Sequence, residues 1–233
     1  MQKALEVICL VSSETDRVIL FHSASGKDSI ALLNLMAPSF REIVCVYMYL
    51  IKDLSHINRY LNYATSTYPN VRFVQVPHYG LGSYIKTGYM GCKQNPVQKK
   101  FTMSDITEGI RQKYGVQWAF FGFKQSDSMN RRIMLRGDDY ELQAINRKTM
   151  KCYPLSAYHN QDVLAYIKRN GLITPECYSK GGQSSGTNIT DIDYLLYLRQ
   201  NYPDDLNRVL SQFPLVERLL FEHDYDKKEP ENK

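Results

Sequence analysis

One short loop of this 233-residue sequence combines small, hydroxyl-bearing and charged side chains at a spacing suited to phosphate binding. It reads Ser23-Ala24-Ser25-Gly26-Lys27-Asp28-Ser29. Small side chains let backbone N–H groups approach phosphate oxygens, and a helix that begins in the loop presents its positive end to the anion. Lys27 can neutralise phosphate charge and the serine hydroxyls can donate hydrogen bonds, whereas Asp28 suits a loop that also holds Mg²⁺ or caps the helix. The loop therefore predicts a phosphate-binding site.

A second polar stretch lies between Gly122 and Arg132 and places three cations and two serines after a predicted strand. Such a group suits a phosphate or sulfate that carries several negative charges. Taken alone, the stretch is explained equally well as a surface loop with ordinary charges. Its candidate anion ligands are Gly122, Lys124, Ser128, Arg131 and Arg132.

Alternating strands and helices would bring these two loops to one edge of a sheet. Four apolar runs favour buried strands: residues 18–21, 43–51, 71–76 and 118–121. Helical periodicity separates them, and Ser104 and Asn160 are predicted helix caps. We therefore predict an α/β fold with a doubly wound, mainly parallel sheet, helices on both faces and additional C-terminal helices. Ligands of such sheets bind beyond the carboxyl ends of the strands, where both polar loops fall.

The periodicity changes beyond residue 190, where apolar positions recur at helical spacing without intervening strands. We predict a nucleotide-binding domain over residues 1–190, a helical appendage over 191–226 and a disordered tail over 227–233. The apolar faces of the C-terminal helices favour packing on the sheet domain or on another subunit, so a homodimer is one expectation.

Composition and cysteine positions restrict the class of protein. The chain is 43% hydrophobic and has a formal net charge of +5. It contains no uninterrupted apolar run near the roughly 20 residues that span a bilayer. We therefore predict no membrane association and, because no secretory pattern is present, a cytoplasmic location. The five cysteines show neither Cys-x-x-Cys nor zinc-site spacing, which favours reduced, unpaired thiols.

Three motifs, in the same order, resemble a known family. The first loop resembles the Ser-Gly-Gly-Lys-Asp-Ser signature of the PP-loop ATP pyrophosphatases and their relatives, the phosphoadenylylsulfate reductases, with Ala24 in place of the first glycine. The second stretch resembles the reductase pattern Gly-x-Arg-x-x-Glu-Ser-x-x-Arg, with Lys124 at the arginine position and Asp127 at the acidic one. Residues 153–167 resemble the reductase segment Pro-Leu-x-x-Trp-x-x-x-Asp-Val-x-x-Tyr-Ile, with Tyr158 replacing tryptophan.

The resemblance covers roughly residues 16–186 and implies an adenine nucleotide alpha hydrolase-like enzyme that binds ATP or phosphoadenylylsulfate with Mg²⁺. By this resemblance, residues 23–29 hold the phosphate or sulfate groups, and Tyr47 and Met48 lie near the adenine. The anion site is completed by Lys124, Ser128, Arg131 and Arg132. The implied catalytic residues are Lys27, Asp28, Lys124 and Arg132, with Asp28 also the metal ligand.

One motif of the reductases is missing. They carry a nucleophilic cysteine in a Glu-Cys-Gly-x-His motif near the C-terminus, whereas no cysteine follows Cys177 here. Reduction of an activated sulfate needs a thiolate to take up the sulfonate, so the standard mechanism lacks its nucleophile. The paired cysteines that hold an iron–sulfur cluster in the adenylylsulfate branch are also absent, so no cluster is expected.

Three functions stay open, of which the first is favoured. In the first, the protein cleaves ATP between its α and β phosphates and adenylates an acceptor. This reaction would suit a transferase of sulfur metabolism that works with a sulfur-donor partner. In the second, it binds phosphoadenylylsulfate or reduces it with a non-standard thiol, for which Cys92 is the candidate sulfur carrier, although an inert loop cysteine is the commoner case. In the third, it is a non-catalytic nucleotide- or nucleic-acid-binding module, with Lys99, Lys100 and basic residues from 131 to 151 contacting phosphates.

Overall fold

The structure is a computed structural model that describes residues 1–24, 26–173 and 188–226. Along these residues the elements are α1 Gln2–Ser12, β1 Arg17–Phe21, α2 Lys27–Met36, β2 Glu42–Tyr49, α3 Ser55–Thr67, β3 Val71–Pro77, α4 Leu81–Thr87, a 3₁₀ turn Tyr89–Gly91, α5 Met103–Tyr114, β4 Ala119–Phe121, α6 Met129–Leu135, β5 Ile145–Asn146, β6 Lys151–Cys152, α7 Asn160–Arg169, α8 Ile192–Asn201, α9 Pro203–Gln212 and α10 Val216–Asp226. Among the helices described, none is both long and apolar enough to cross a membrane.

The strands form one sheet in the order β3-β2-β1-β4-β6-β5. β1 pairs in parallel with β2 and with β4, β4 pairs in parallel with β6, and β5 runs antiparallel to β6. The predicted α/β fold with a doubly wound, mainly parallel sheet and additional C-terminal helices is therefore confirmed. The four predicted strands correspond to β1–β4, whereas β5 and β6 have two residues each, too few to show a period in the sequence.

The chain divides into two compact units, each assembled from three stretches. Unit 1 comprises Met1–Met48, Tyr60–Val76 and Thr107–Pro175. Unit 2 comprises Tyr49–Arg59, Pro77–Ile106 and Glu176–Lys233. The domain boundary expected at residue 190 stays a prediction, and the expected tail at 227–233 lies outside the described residues.

The core of unit 1 forms around β1. Its residues Val18 to Phe21 are buried, as expected of a strand with neighbours on both sides and helices over the sheet. One face of α1 is buried, formed by Ala4, Val7, Ile8 and Val11. This helix packs against α2, which also contacts α7. The packing holds α2, and with it the loop that precedes α2, in place.

In unit 2 a buried carboxylate caps the first turn of α3. Asp205 of α9 is fully buried, and its Oδ1 accepts a hydrogen bond from the backbone N–H of Ser55 at 2.8 Å. Its Oδ2 accepts one from the backbone N–H of His56 at 3.1 Å and lies 2.7 Å from Nδ1 of that histidine. Burial raises the pKa of Asp205, but the hydrogen bonds outweigh this effect and hold the pKa below its ordinary value. The ionised carboxylate therefore stabilises this unit.

We expect Asp205→Asn to lower the free energy of unfolding by about 3 kcal/mol, because it removes the charge from a buried, hydrogen-bonded pair. Since the folded state depresses the pKa of Asp205, its contribution is present above the unfolded pKa of about 3.9 and is lost as the pH falls through the folded value. Thermal unfolding at neutral pH and below about pH 4 should therefore show a Tm difference that narrows as the pH falls. The exposed neighbour supplies the control: Asp204→Asn should leave Tm unchanged. A difference of equal size at both pH values would contradict the role of the ionised group.

Candidate functional site

The carboxyl ends of three neighbouring strands meet in unit 1. The strand registers pair Phe21 of β1 with Val46 of β2 on one side and with Phe121 of β4 on the other. The residues that follow these three are His22, Tyr47 and Gly122. The two polar loops therefore begin side by side, at the sheet edge where ligands of doubly wound folds bind.

A buried histidine shapes the backbone of the first loop. His22 is 2% exposed, and its Nδ1 accepts a hydrogen bond from the backbone N–H of Ala24 at 2.9 Å. Its Nε2 lies 3.0 Å from the hydroxyl oxygen of Tyr60. Because Nδ1 accepts, the ring proton is assigned to Nε2, which donates to Tyr60. Burial lowers the pKa of His22 to about 3, so the ring stays neutral, and Ala24 is held at φ 59°, a left-handed conformation rare for alanine.

Sequence reasoning did not single out His22 as a functional residue. The signal available was its position, one residue beyond the apolar run of β1 and one residue before the loop. Its ring packs against the rings of Tyr60 and Phe73, with centroids 5.2 Å and 5.4 Å away. These partners come from α3 and β3, so only the tertiary structure identifies them.

The hydroxyl groups of the first loop bond to one another. The Oγ of Ser29 accepts a hydrogen bond from the backbone N–H of Ser23 at 3.1 Å, and the two hydroxyl oxygens are 3.1 Å apart. A Cβ added at Gly26 would lie 2.2 Å from the Oγ of Ser23, so only glycine fits while that hydroxyl keeps its position. Ser25, also predicted to bind phosphate, lies outside the described residues. The described part of the loop is therefore a tight turn in front of α2.

The N-cap of helix α2 is Gly26, which has no side chain to cap the helix. Among the residues that the structure describes, no side chain accepts a cap hydrogen bond from the first turn. The first N–H groups of a helix have no partner within the helix, and the macrodipole makes this end positive. An anion that approaches the loop can therefore supply the missing acceptors.

Charges from both loops join in one network around Lys124. Its ammonium nitrogen lies 2.7 Å from Oδ1 of Asp28 and 2.9 Å from Oδ1 of Asp127, and its side chain is 1% exposed. The Nζ of Lys27 lies 3.2 Å from the other carboxylate oxygen of Asp28. The guanidinium of Arg131 lies 2.7 Å from Oδ2 of Asp127. With three cations and two carboxylates, this network leaves one net positive charge at the sheet edge.

Lys124 holds the two loops together in this arrangement. Burial raises the pKa of Asp127, but hydrogen bonds from the side chain and backbone of Lys124, with the charge of Arg131, bring it below its ordinary value. A Cβ added at Gly122 would lie 3.2 Å from that of Asp28, so the glycine lets β4 approach α2 closely. Both partners of Lys124 are thus carboxylates, and its ammonium is bound to them rather than exposed to an anionic ligand.

The carboxylates of the network do not fit a directly bound Mg²⁺ in this arrangement. Both oxygens of Asp28, the predicted metal ligand, face ammonium groups, and Lys124 lies between Asp28 and Asp127 where a cation would bind. Within residues 1–24, 26–173 and 188–226, no group of three or more His, Cys, Asp and Glu side chains could hold a metal ion. Cys177 lies outside these residues, so the expectation of no iron–sulfur cluster stays a prediction.

The remaining predicted anion ligands lie at the start of α6. Ser128 is the N-cap of this helix, and its Oγ accepts a hydrogen bond from the backbone N–H of Arg131 at 3.2 Å. The guanidinium carbon of Arg131 lies 3.9 Å from the centre of the Phe123 ring, which helps to fix its direction. Arg132 is exposed, and its side chain has no ion-pair partner in the part of the chain that is described. Arg132 is therefore open to an external anion.

Tyr47 and Met48 continue β2 beyond its pairing with β1. The backbone N–H of His22 donates to the carbonyl oxygen of Val46 at 2.9 Å, which sets the two residues beside the first loop. Tyr47 is 2% exposed and Met48 is half-buried. Their contact with an adenine stays a prediction.

Cys92, the candidate sulfur carrier, belongs to unit 2. Its Sγ donates a hydrogen bond to the carbonyl oxygen of Tyr84 at 3.2 Å, and the residue is 6% exposed. Burial raises the pKa of this thiol, which disfavours the thiolate that sulfur transfer requires. The hypothesis of a sulfur-carrying Cys92 gains no support from this geometry.

Basic residues near 147, predicted as an alternative to contact nucleic acid, are paired within unit 1. Arg147 forms ion pairs with Glu14 and Glu141, and Lys148 forms one with Asp139. These carboxylates offset the positive charge, which weakens the nucleic-acid interpretation for this stretch.

Many solved structures are similar to this chain, and two of them serve as examples. One is the U34-tRNA thiolase NcsA from Methanococcus maripaludis with its 4Fe–4S cluster, at a TM-score of 0.48 and 13% identity over 93% of this chain and 79% of that chain. The other is the NH3-dependent NAD synthetase from Campylobacter jejuni subsp. jejuni in complex with the nitrate ion, at a TM-score of 0.43 and 16% identity over 100% of this chain and 98% of that chain. Both scores are too low to bear on function. No curated protein sequence matches the chain.

The family match rests on a different comparison. The model of the phosphoadenosine phosphosulfate reductase domain matches residues 18–199, which include both polar loops and most of the sheet. The predicted resemblance is thereby confirmed, and the chain belongs to the phosphoadenosine phosphosulfate reductase domain family.

Proposed function

We propose that the protein binds an adenine nucleotide at the first loop and cleaves ATP between its α and β phosphates, which adenylates an acceptor. The observation that carries the proposal is the N-terminus of α2, which no side chain of the described residues caps, beside an ion network with one net positive charge. The carboxylate of Asp28 in the first turn would repel a phosphate, but Lys27 and Lys124 neutralise it. A family of adenine-nucleotide-utilising enzymes is consistent with this site.

Each group of the site has one role in this proposal. The N–H groups of the first turn of α2 bind phosphate oxygens. Lys27 is buried as well, but its contact with Asp28, at 3.2 Å, is longer than those of Lys124, and it stabilises the negative charge that develops as the bond breaks. Arg132, the exposed cation, binds the outer phosphates. Lys124 is a positioning residue that holds Asp28 away from the nucleotide.

The reaction itself is a displacement at the α-phosphorus. An oxygen of the acceptor forms a bond to this phosphorus, and the bond from phosphorus to the oxygen that bridges the α and β phosphates breaks. Pyrophosphate leaves with the electron pair, and the proton of the acceptor passes to solvent. The products are the adenylated acceptor and pyrophosphate.

In this proposal, Mg²⁺ would bind together with the nucleotide. Because both carboxylates of the network are paired with cations, the phosphates themselves would supply most of its ligands. When bound, the ion neutralises phosphate charge. None of the roles assigned to the protein residues depends on it.

Binding of phosphoadenylylsulfate is the second candidate function, because the family is that of its reductases. A sulfate suits the open end of α2 as well as a phosphate does. The reductive step is less favoured at Cys45, Cys92 and Cys152, because burial raises the pKa of these three thiols. A thiol with a raised pKa is a poor nucleophile at neutral pH.

Lys27→Ala is expected to reduce pyrophosphate release from ATP by about 100-fold, the order of effect found when one stabilising group is removed from a transition state. Calorimetric titration with ATP and, separately, with phosphoadenylylsulfate measures binding, and assays for pyrophosphate and sulfite follow the products. Lys148→Ala is the matched control, since it removes an exposed lysine from the same unit. Full activity of Lys27→Ala would contradict the placement of the site, and release of sulfite alone would favour the second candidate.

Lys124 and Asp28 are expected to be coupled energetically. Lys124→Met leaves two carboxylates without their ammonium partner and should lower Tm and ATP affinity, whereas adding Asp28→Asn should recover part of the stability. A double-mutant cycle on the free energy of unfolding should give a coupling of about 1–3 kcal/mol. The exposed pair Lys148→Met and Asp139→Asn is the control, with an expected coupling below about 1 kcal/mol. Additive effects of the first pair would exclude a positioning role for Lys124.

A further inference from the structure

The segment between β3 and α5 carries aromatic and basic groups that the proposed function does not use. The exposed fractions of Tyr79, Tyr89 and Phe101 are 43%, 37% and 45%. Four exposed lysines alternate with these rings along the chain: Lys86, Lys93, Lys99 and Lys100. These seven residues, all within unit 2, are called the aromatic–lysine surface below.

The exposed tyrosines are supported by other rings. Tyr89 stacks on Tyr84, with centroids 4.4 Å apart and planes inclined by 24°. Tyr84 in turn meets Phe213 edge to face at 6.4 Å. The ring of Tyr79 lies 4.1 Å from that of His78. Such contacts restrict the orientation of each exposed ring, which lowers the entropy lost when another flat ring stacks on it.

The charge of the four lysines is not offset by ion pairs within the described residues. None of them lies within ion-pair distance of a carboxylate in the residues described, and Lys99 lies over the Phe101 ring, 5.4 Å from its centre. Asp105 is the one acidic residue between positions 77 and 106, and its Oδ2 accepts hydrogen bonds from the backbone and hydroxyl of Thr102 at 2.8 Å each. Lys99 acts on Asp105 through its charge without forming an ion pair. The surface is therefore more basic than the paired stretch near Arg147.

Contacts between α4 and the loop that follows it keep these residues close together. A Cβ added at Gly82 of α4 would lie 2.6 Å from the carbonyl oxygen of Lys99, so the chain at residues 99–100 crosses directly over the helix. The backbone N–H of Asn95 donates a hydrogen bond to the carbonyl oxygen of Ile85 at 2.9 Å. The side-chain amide of Gln94 donates one to the backbone carbonyl oxygen of Lys86 at 3.2 Å. These contacts bind the connecting loop to α4 and so keep the lysines and rings within one compact stretch of unit 2.

We propose that the aromatic–lysine surface binds single-stranded RNA. The ammonium groups contact phosphates, and the exposed rings stack on unpaired bases, a combination typical of proteins that bind single strands. An acidic protein would use the lysines but leave the exposed, supported rings without a comparable partner. RNA is favoured over DNA because RNA presents unpaired bases in loops and ends, whereas DNA is mostly duplex.

Fluorescence anisotropy with a labelled oligouridylate of about 12 nucleotides tests the proposal, since this length covers a typical single-strand site. The probe contains no adenine, and no nucleotide is added, so the result does not depend on the proposed ATP chemistry. Four lysine–phosphate contacts predict that log K falls with log salt with a slope of about −3, each contact contributing about −0.7. Lys99→Ala should reduce the slope by about 0.7, whereas the control Lys52→Ala, an exposed lysine beside Asp53 in the same unit, should not.

Tyr89→Ala should weaken RNA binding by about 5-fold to 100-fold without changing the salt slope, because it removes a stacking ring and no charge. Tyr89→Phe keeps the ring and should bind like the unsubstituted protein, and thermal unfolding of both variants checks that they fold. The proposal is overturned if the RNA does not bind or if Tyr89→Ala binds as tightly as Tyr89→Phe. Tighter binding to duplex DNA, to single-stranded DNA of the same base composition, or to polyglutamate would also overturn it.

Discussion

The ammonium group of Lys124 is buried between two carboxylates, and the arrangement of both polar loops depends on it. Removing such an ion from water costs several kcal/mol, which is offset only if its partners approach closely and bond well. Asp28 and Asp127 approach the ammonium closely, at 2.7 Å and 2.9 Å. Because one carboxylate begins α2 and the other follows β4, satisfying the buried charge also sets the distance between the two loops.

The neutral side chain of His22 lies at the same sheet edge and has a different role. His22 is buried and neutral, so it turns the backbone at Ala24 without adding charge to the site. The charges of Asp28 and Asp127 are balanced by cations within the network. Within the described residues, a ligand can reach the first turn of α2, the exposed Arg132 and Lys27, whose ammonium lies 3.2 Å from Asp28. The network is thus positive by a single charge, because its three cations outnumber its two carboxylates by one.

The fold could be predicted from the sequence more fully than the ends of its helices. A strand such as Val18–Phe21 is an uninterrupted apolar run because both of its faces are covered. The capping residues of the helices were harder to predict, because several neighbouring residues can accept the same hydrogen bond. Thr102 rather than Ser104 accepts from the N–H of Asp105 at 3.1 Å, and His159 rather than Asn160 is the N-cap of α7. The packing of each helix decides among such candidates.

The residues of the candidate site could be named from the sequence, but their partners could not. The spacing of Lys124 and Asp127 is visible locally, whereas the approach of Asp28 needs the parallel pairing of β1 with β4. Sequence reasoning therefore assigned Lys124 to the ligand, and the structure pairs it with two carboxylates. The partners of His22 likewise come from elements that the loop sequence does not contain.

The carboxylate that caps α3 has a consequence for synthesis of the chain. Asp205 stands 150 residues after Ser55, so the first turn of α3 leaves the ribosome long before its cap exists. The synthesis of unit 1 is also interrupted, because two stretches of unit 2 are made before β4. Contacts between such distant residues form late in folding, because long loops must close first. For most of translation, the first N–H groups of α3 must therefore donate their hydrogen bonds to water. In a nascent chain that stalls before α9, these groups would stay exposed.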